Sequence, residues 1–217
     1  VIQNDGEDGE KKLIYTPDIK DIESLVKNTS IPPHKMIKAA VFGVKGQTEP
    51  CIVFIRGDYE VNESKLKKVI QKEVYPYEQG EIETGFIGPA DFTGNALILF
   101  DQSLEGCKNM LCGANKKDYH YTGISFGRDF NIDKFHDLYK VKENDICVKC
   151  GGSLNIKKGI EIGNIFQLGQ KYTQSMNMCY TDENGKRQIP YMGCYGIGIG
   201  RAMASIVEAH HDEYGPV

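Results

Sequence analysis

A glycine-rich run near the end of the chain restricts its fold more than any other feature. Four glycines fall within the eight positions from Gly193 to Gly200, and Arg201 follows directly. Residues without side chains leave a strip of bare backbone against which a ligand can lie, and an arginine at the head of a helix presents a bidentate fork to phosphate. The spacing differs from the Gly-x-Gly-x-x-Gly of a dinucleotide-binding turn. A ligand-binding strand and an ordinary strand–helix junction are the two interpretations.

The composition is that of a globular chain. Of 217 residues, 40% are hydrophobic and 26% are charged, and the net charge of −4 opposes binding of nucleic acid by bulk electrostatics while leaving room for a local basic patch. No apolar run approaches the roughly eighteen residues that cross a bilayer, so no membrane contact is expected. Seven cysteines without a secretory signal indicate reduced thiols and a cytoplasmic location.

The pattern of residues up to about position 145 predicts a mixed α+β fold. Residues 1–12 are polar and glycine-containing, which favours a flexible lead-in. The elements expected after it are a short helix around Ile19–Val26, a strand pair at 36–44 and 51–55, a helix from Asn62, a buried strand at 96–101 and an alternating strand from Tyr119. Strands and helices mixed in this order are typical of an α+β core over residues 13–145.

The composition changes near Cys147. The chain beyond it is rich in glycine, has a hairpin signal at Asn184-Gly185 and carries an apolar helix from Ala202 to Ala209. Residues 146–217 therefore predict a second unit of antiparallel strands closed by a helix. At this length the unit is interpreted as part of a larger domain.

Two long runs carry a resemblance to a known family. Residues Gly159–Tyr172 and Met192–Arg201 resemble bacterial-type prolyl-tRNA synthetases, and the second run is similar to the third signature motif of class II synthetases. Upstream, the resemblance continues through Thr16-Pro17, Lys38-Ala39-Ala40, Arg56-Gly57-Asp58, Asn62-Glu63, the loop from Gly85 to Pro89, Asp101, Gly113-Ala114-Asn115 and His120. The resemblance implies that residues 13–145 are an inserted tRNA-editing domain with a mixed, barrel-like β-sheet and flanking helices. It implies that residues 146–217 are part of the class II catalytic domain, with a partial antiparallel sheet.

The activity implied by this resemblance is that of a proline–tRNA ligase fragment. By this resemblance, the whole enzyme is a homodimer that attaches proline to tRNA(Pro) with ATP and Mg. Its inserted domain hydrolyses alanyl-tRNA(Pro) without a cofactor. The fragment alone is not expected to aminoacylate. Alanine is smaller than proline, and a pocket built for proline gains only about 1–3 kcal/mol of discrimination for each methylene that alanine lacks. A second site that selects by size is therefore needed. The alternative is a non-catalytic module that positions tRNA. A third interpretation, a free-standing editing factor, is not favoured, because the glycine-rich run resembles a synthetase motif.

For the editing site, the resemblance indicates Lys38 and the loop containing Gly85, Gly88 and Pro89. Lys38 is a lone ammonium in an apolar strand, so either it meets an anionic or polar partner or its head reaches water while its stem packs. The resemblance implies that it binds the tRNA 3′ end and the ester carbonyl. The loop would point backbone N–H groups at a developing oxyanion, or it is an ordinary surface turn.

Two further residues complete that implied site. Asp101, at the end of a buried strand, either anchors the substrate amino group or caps the next segment. His120, alone, would be a structural histidine, whereas the resemblance implies that it lines the pocket and limits substrate size. No Ser-His-Asp or Cys-His arrangement stands out, and the resemblance implies attack by water, assisted by the free ribose hydroxyl of the terminal adenosine.

The resemblance also implies a site for the synthetic reaction. Three residues would bind ATP, namely Gly198, Gly200 and Arg201, and three would bind proline, namely Phe166, Cys194 and Asn164. The arginine would contact a phosphate, and the glycines would let adenosine lie close to the backbone. The family commonly has histidine where this chain has Asn164.

A cysteine pair and a lysine-rich helix are the remaining features. Cys147-x-x-Cys150 is similar to half of a zinc knuckle, with Cys107 and Cys112 as distant further thiolates, but their spacing favours free thiols and no metal is predicted. The lysines between positions 65 and 72 either contact tRNA phosphates or form a solvated helix face, and the second interpretation is favoured.

Overall fold

The computed structural model describes residues 7–77, 84–147 and 149–216. The chain divides into two compact units, the first ending at Asn155 and the second beginning at Ile156. Of the predicted lead-in, residues 1–6 lie outside the described residues, and Lys12 already belongs to the first strand. Within the described ranges, no helix is long and apolar enough to cross a membrane.

The described part of the first unit contains eight strands and two α-helices. The strands are β1 (Lys12–Tyr15), β2 (Ile37–Val44), β3 (Cys51–Arg56), β4 (Val74–Pro76), β5 (Leu97–Asp101), β6 (Met110–Gly113), β7 (Tyr119–Ile124) and β8 (Phe135–His136). The helices are α1 (Ile22–Thr29) and α2 (Glu63–Ile70), and 3₁₀ turns occur at Pro33–Lys35 and Gln102–Leu104. The predicted elements are therefore present.

Both helices have defined caps. The side chain of Asp21 accepts a hydrogen bond from the first turn of α1, and that of Asn62 does the same for α2, which satisfies amides that have no partner inside a helix. Each helix ends at a left-handed residue, Ser30 or Gln71, both with a φ of +58°. The predicted helix start at Asn62 is confirmed.

The strands of the first unit form two sheets. The larger has the order β4-β2-β3-β5-β8, with antiparallel pairs around β2 and parallel pairs around β5, and the smaller is the antiparallel order β1-β7-β6. The predicted pairing of β2 with β3 is confirmed. The mixed α+β class is confirmed as well, but the described strands close no barrel, because the larger sheet ends at two short edge strands, β4 and β8, that do not pair with each other.

The core of the first unit lies on both faces of β3. Ile52 and Phe54 point toward residues of β6 and β7, whereas Cys51 and Val53 pack with Leu66 of α2. All five are completely buried. A strand covered on both faces needs apolar residues at successive positions, which explains why this segment is a continuous apolar run rather than an alternating one.

The second unit is built from short strands and two helices. Its elements are β9 (Gly163–Gly169), α3 (Lys171–Ser175), β10 (Tyr180–Thr181), β11 (Arg187–Gln188), β12 (Met192–Ile197), α4 (Ile199–Ala209), β13 (His211–Asp212) and β14 (Gly215–Pro216). Strands β9 and β12 pair antiparallel, and β10 and β11 form the predicted hairpin. The last long helix begins at Ile199, three residues before the predicted start. Every residue of β12 is exposed.

Candidate functional site

A cavity of about 390 Å³ opens in the first unit. Its walls come from the start of α1, from β2, from the loop before β5 and from the two paired strands β6 and β7. The lining residues are Lys20, Asp21, Ile22, Leu25, Ile37, Lys38, Ala39, Thr84, Gly85, Ile87, Gly113 and His120. Three of the sequence-predicted site residues, Lys38, Gly85 and His120, therefore meet in one cavity.

Lys38 is the half-buried cation of this cavity. It lies on β2 opposite Ile55, and its ammonium makes no hydrogen bond or ion pair with any residue that the structure describes. Burial lowers the pKa of Lys38, and the negative charges of Glu60 and Asp58 raise it in part. The anionic partner expected for an ammonium in an apolar strand is not in direct contact, so the positive charge can act on a ligand in the cavity.

The loop beside Lys38 requires glycine at two positions. Gly85 has a φ of +101°, and a Cβ there would lie 2.7 Å from the side chain of Lys20. At Gly88 an added Cβ would lie 1.8 Å from the carbonyl oxygen of Gly113, a backbone atom that cannot move aside. The loop and β6 thus touch backbone to backbone, which is possible only where side chains are missing.

Asn115 fixes the conformation of this loop. Its Oδ1 accepts a hydrogen bond from the amide of Gly88 at 2.9 Å, and its Nδ2 donates to the carbonyl of Ala90 at 2.7 Å. Its own amide donates to the carbonyl of Phe86 at 2.8 Å. Because the amide of Gly88 is already bound, it is not a free donor for a ligand. Asn115 belongs to the sequence resemblance described above, but no local pattern in the sequence indicates that it binds this loop.

His120 is buried in the wall of the cavity, with 2% of its surface exposed. Its Nδ1 lies 2.6 Å from Oγ1 of Thr16, and its ring packs against Phe86 at a centroid distance of 5.6 Å. Burial lowers the pKa of His120 to about 4, and a hydrogen bond to the backbone of Gly85 raises it in part. The imidazole is therefore neutral near pH 7.

Asp101 does not line the cavity. Its carboxylate is completely buried and accepts two backbone hydrogen bonds, from Ser103 to Oδ1 and from Leu138 to Oδ2, each at 2.8 Å. The first caps the 3₁₀ turn that follows β5, and the second joins that turn to the segment after β8. Of its two interpretations, this geometry is that of a cap.

The predicted proline-binding residues lie on the paired strands of the second unit. Phe166 and Cys194 are direct cross-strand partners, and Asn164 lies opposite Gly196, two positions away on the same strand pair. Asn164 donates a hydrogen bond to the side chain of Glu161 at 2.8 Å. Register places these three residues together at the surface of this unit.

The predicted ATP-binding residues lie where β12 meets α4. Gly198 is the residue before the helix, and Gly200 and Arg201 are in its first turn. The guanidinium of Arg201 donates to the backbone carbonyl of Glu161 at 2.7 Å. A helix N-terminus carries free amides and a partial positive charge, so an adjacent arginine adds to an existing preference for anions.

The cysteine pair lies on an exposed turn. The turn is closed by hydrogen bonds from Cys147 to Gly152 and from Gly151 to Cys147, at 2.8 and 2.9 Å. Cys107 and Cys112 are buried in the core between the two sheets. Among the residues that the structure describes, no group of three or more His, Cys, Asp or Glu side chains is placed to hold a metal ion.

The lysines of α2 are partly occupied by neighbouring acids. Lys65 forms an ion pair with Asp137 at 2.6 Å, and Lys67 forms one with Glu73 at 2.9 Å. Both ammonium groups are therefore paired with carboxylates, whereas contacts with nucleic acid would require them to bind phosphates. This agrees with the favoured interpretation of a solvated helix face.

Comparison with known proteins identifies the family. The model for the aminoacyl-tRNA editing domain matches residues 16–130. The chain belongs to the aminoacyl-tRNA editing domain family. The match includes every residue named above as lining the cavity, so the cavity lies within the part of the chain that defines the family.

Several proline–tRNA ligases are relatives of this editing-domain chain. It is 39% identical over 209 residues to the enzyme of Aquifex aeolicus (93% of this chain, 36% of the relative) and 42% identical over 212 residues to that of Fusobacterium nucleatum (95% and 37%). The resemblance to prolyl-tRNA synthetases is confirmed, and the chain spans little more than a third of these relatives. A solved structure described as a candidate trans-editing enzyme for prolyl tRNA synthetase covers 60% of this chain and 87% of its own, with a TM-score of 0.45 and 10% identity, a likeness too weak to assign a function.

Proposed function

We propose that the cavity hydrolyses the ester bond of alanyl-tRNA(Pro) and that this chain is a segment of a proline–tRNA ligase. The observation that carries the proposal is the meeting of Lys38 and the Gly85 loop at one cavity, in a chain of the aminoacyl-tRNA editing domain family. The proline–tRNA ligases among its relatives indicate which tRNA is corrected. A module that only positions tRNA would need no such cavity.

The cavity offers the chemistry that an aminoacyl ester requires. Lys20 and Lys38 are the two lysines that line it, and their side chains can bind the terminal phosphate and the ester carbonyl. Ile22, Leu25 and Ile87 provide apolar surface for a small side chain such as the methyl group of alanine. Nucleic acid is thus held by local charge, although the whole chain carries a net charge of −4.

The hydrolysis needs no nucleophilic side chain. Water adds to the ester carbonyl, the bond from the carbonyl carbon to the ribose oxygen breaks, and alanine and tRNA with a free hydroxyl are released. His120 is neutral, buried and bonded within the protein, so the free ribose hydroxyl of the terminal adenosine assists the proton transfer instead. The amide of Gly88 is bound to Asn115 and cannot donate to the oxyanion. That role therefore falls to the backbone amides that precede Gly88 in the loop.

Residues of the second unit are assigned to the synthetic reaction of the whole enzyme. Phe166 and Cys194 would line a proline pocket, and Arg201 beside Gly198 and Gly200 would bind the phosphate and adenosine of ATP. Their register and their position at a helix N-terminus support this assignment. The described residues provide no ligand set for the Mg²⁺ that accompanies ATP, so none is assigned. The full-length enzyme would be a homodimer.

Deacylation assays test the hydrolytic function. The full chain is incubated with alanyl-tRNA(Pro) and with prolyl-tRNA(Pro), and we expect release of alanine and not of proline. Lys38→Ala should lower the rate at least about tenfold, since one oriented charge is lost. Lys45→Ala removes an exposed lysine just after the same strand and should leave the rate within about twofold.

The possible results separate the two functions. Hydrolysis by the wild type that Lys38→Ala leaves unchanged would end the role of Lys38. Absence of hydrolysis by the wild type, with retained binding of tRNA(Pro), would instead favour the positioning module.

A further inference from the structure

Four side chains on one face of the smaller sheet form an exposed surface, which we call the tyrosine surface. Strands β1 and β7 pair so that Leu13 lies opposite Tyr121 and Tyr15 lies opposite Tyr119. Residues directly opposite one another in an antiparallel pair, and residues two apart along a strand, point to the same side of a sheet. Tyr15 is 63% exposed, Leu13 is exposed as well, and Tyr119 and Tyr121 are half-buried.

Lysine ammonium groups lie over two of these rings. The Nζ of Lys116 is 4.1 Å from the ring centroid of Tyr119, and the Nζ of Lys11 is 4.5 Å from that of Tyr121. Lys11 is also paired with Asp91 at 2.6 Å. Lys116, in contrast, is exposed and forms an ion pair with no carboxylate that the structure describes. The tyrosine surface therefore combines aromatic rings with a cation that remains available to a ligand.

A second pair of tyrosines shows what distinguishes this surface. The ring centroids of Tyr59 and Tyr139 are 4.6 Å apart, and cations lie over both rings. Tyr59 is only 8% exposed, however, and each of these cations is ion-paired with an aspartate. The centroids of Tyr15 and Tyr119 are 5.3 Å apart with the rings tilted by 51°, and most of the outer ring remains open to a ligand.

Exposed aromatic rings beside a cation are the kind of surface that single-stranded RNA binds. Unpaired bases stack on aromatic side chains, and lysine contacts the phosphates between them. The position of the surface fits this partner as well. Tyr119 and Tyr121 flank His120, which lies on the same strand and lines the cavity. One strand therefore carries both a wall of the cavity and two rings of the tyrosine surface.

We propose that the tyrosine surface binds unpaired nucleotides of the tRNA 3′ end, those that precede the terminal adenosine. A base stacks on Tyr15, and Lys116 contacts a phosphate of the same strand. This proposal rests on the proposed hydrolytic function, which places the terminal adenosine at the cavity. Because the surface does not touch the ester, it binds the ground state and the transition state equally.

Binding of deacylated tRNA(Pro) to the full chain tests the contact. Tyr15→Leu keeps an apolar side chain but lacks the ring, so we expect its Kd to be about tenfold higher than that of the wild type, with Tyr15→Phe within about twofold. Tyr75→Leu removes a ring that is 52% exposed on the larger sheet and should also stay within about twofold. With a tRNA(Pro) that lacks its unpaired 3′ nucleotides, the wild type and Tyr15→Leu should bind equally.

Kinetics and salt dependence test the two parts of the surface separately. With alanyl-tRNA(Pro) as substrate, Tyr15→Leu should raise KM about tenfold and leave kcat within about twofold, since uniform binding is lost. Lys116→Ala removes one phosphate contact and should reduce the slope of log K against log salt concentration by about 0.7 to 1.

A tryptophan at position 15 reports stacking directly. The chain contains no tryptophan, so Tyr15→Trp introduces a single one and retains an aromatic face. Its fluorescence should be quenched by tRNA(Pro) but not by the tRNA that lacks the unpaired 3′ nucleotides. Tyr75→Trp should be quenched by neither.

Two results would overturn the proposal. One is a Tyr15→Leu protein that binds intact tRNA(Pro) with the Kd of the wild type. The other is an unquenched Tyr15→Trp at saturating tRNA(Pro); an emission that shifts to shorter wavelength with rising protein concentration would then assign the surface to a second copy of the chain. If tRNA(Pro) binds through Tyr15 but alanyl-tRNA(Pro) is not hydrolysed, the tyrosine surface stands and the hydrolytic function fails.

Discussion

The side chain of Asn115 reaches back 27 residues to hold the amide of Gly88 at 2.9 Å. The side-chain amide of Asn115 also donates, through Nδ2, to the carbonyl of Ala90. One side chain therefore satisfies both a donor and an acceptor of the loop that borders the cavity. Asn115 adopts a φ of +54°, a conformation that asparagine and aspartate tolerate better than other residues with side chains. The loop is therefore fixed by its neighbour rather than by contacts within itself.

Asn115→Asp tests this dependence. The carboxylate keeps the acceptor for Gly88 but places a negative oxygen against the carbonyl of Ala90, and we expect a loss of about 1–3 kcal/mol in the free energy of unfolding. Asn177→Asp is the matched control, because Asn177 is exposed and has a similar φ of +52°; it should change stability by less than about 0.5 kcal/mol. Urea denaturation measures both, and equal stabilities would contradict the structural role.

Asp101→Asn tests the buried cap. The substitution replaces one carboxylate oxygen by an NH₂ group, which faces a backbone N–H and cannot accept its hydrogen bond. We therefore expect a loss of about 2–4 kcal/mol in the free energy of unfolding. Asp137→Asn, which removes the exposed partner of Lys65, should cost less than about 1 kcal/mol. A variant of Asp101 with wild-type stability but no deacylation would show instead that the carboxylate acts on the substrate.

The buried His120 makes stability depend on pH. Its pKa is lowered to about 4 in the folded chain, against about 6.5 when unfolded, so between these values the unfolded state binds a proton that the folded state does not. Stability should therefore fall as pH decreases from about 6.5 to 4, by up to about 3 kcal/mol from this residue.

Denaturation of the wild type and of His120→Gln at several pH values within this window provides the measurement. The variant should lose the larger part of the slope, while His34→Gln, at an exposed histidine, serves as the control. Parallel slopes for the wild type and His120→Gln would be inconsistent with a neutral histidine in the cavity wall.

Alkylation by iodoacetamide should distinguish the cysteines. Hydrogen bonds from the backbone of Cys150 and Lys149 and from the Cys150 thiol lower the pKa of Cys147, which favours the reactive thiolate. Burial raises the pKa of Cys51 to about 12 and that of Cys107 to about 11. Peptide mass spectrometry at neutral pH should find Cys147 modified at least about ten times faster than either, and Cys150→Ser should slow it. Uniform labelling would contradict the structure of this turn.

Local signals explain which elements could be predicted from the sequence. The pairing of β2 with β3 follows from two apolar runs joined by a short turn, and the start of α2 follows from Asn62, whose side chain caps the helix that it precedes. Within that helix Leu66 is completely buried whereas Val69 is 37% exposed, so the buried face is narrower than the apolar pattern.

Contacts between distant segments account for what could not be predicted. The parallel pairing of β3 with β5 joins strands about 45 residues apart, and no local pattern specifies such a partner. Lys38, Gly85 and His120 were named as one site only through the resemblance to a family. The support that they receive from Thr16 and Asn115 depends on backbone positions that a single sequence does not display.

The hydrogen bond between Thr16 and His120 has a consequence for how the cavity forms. It joins residues 104 positions apart, and all four residues of β1, which precedes Thr16, pair with β7, which carries His120. Contacts of such long sequence separation form slowly, because the intervening chain must first be ordered. A chain in which these two segments have not yet paired therefore lacks the part of the cavity wall that His120 provides.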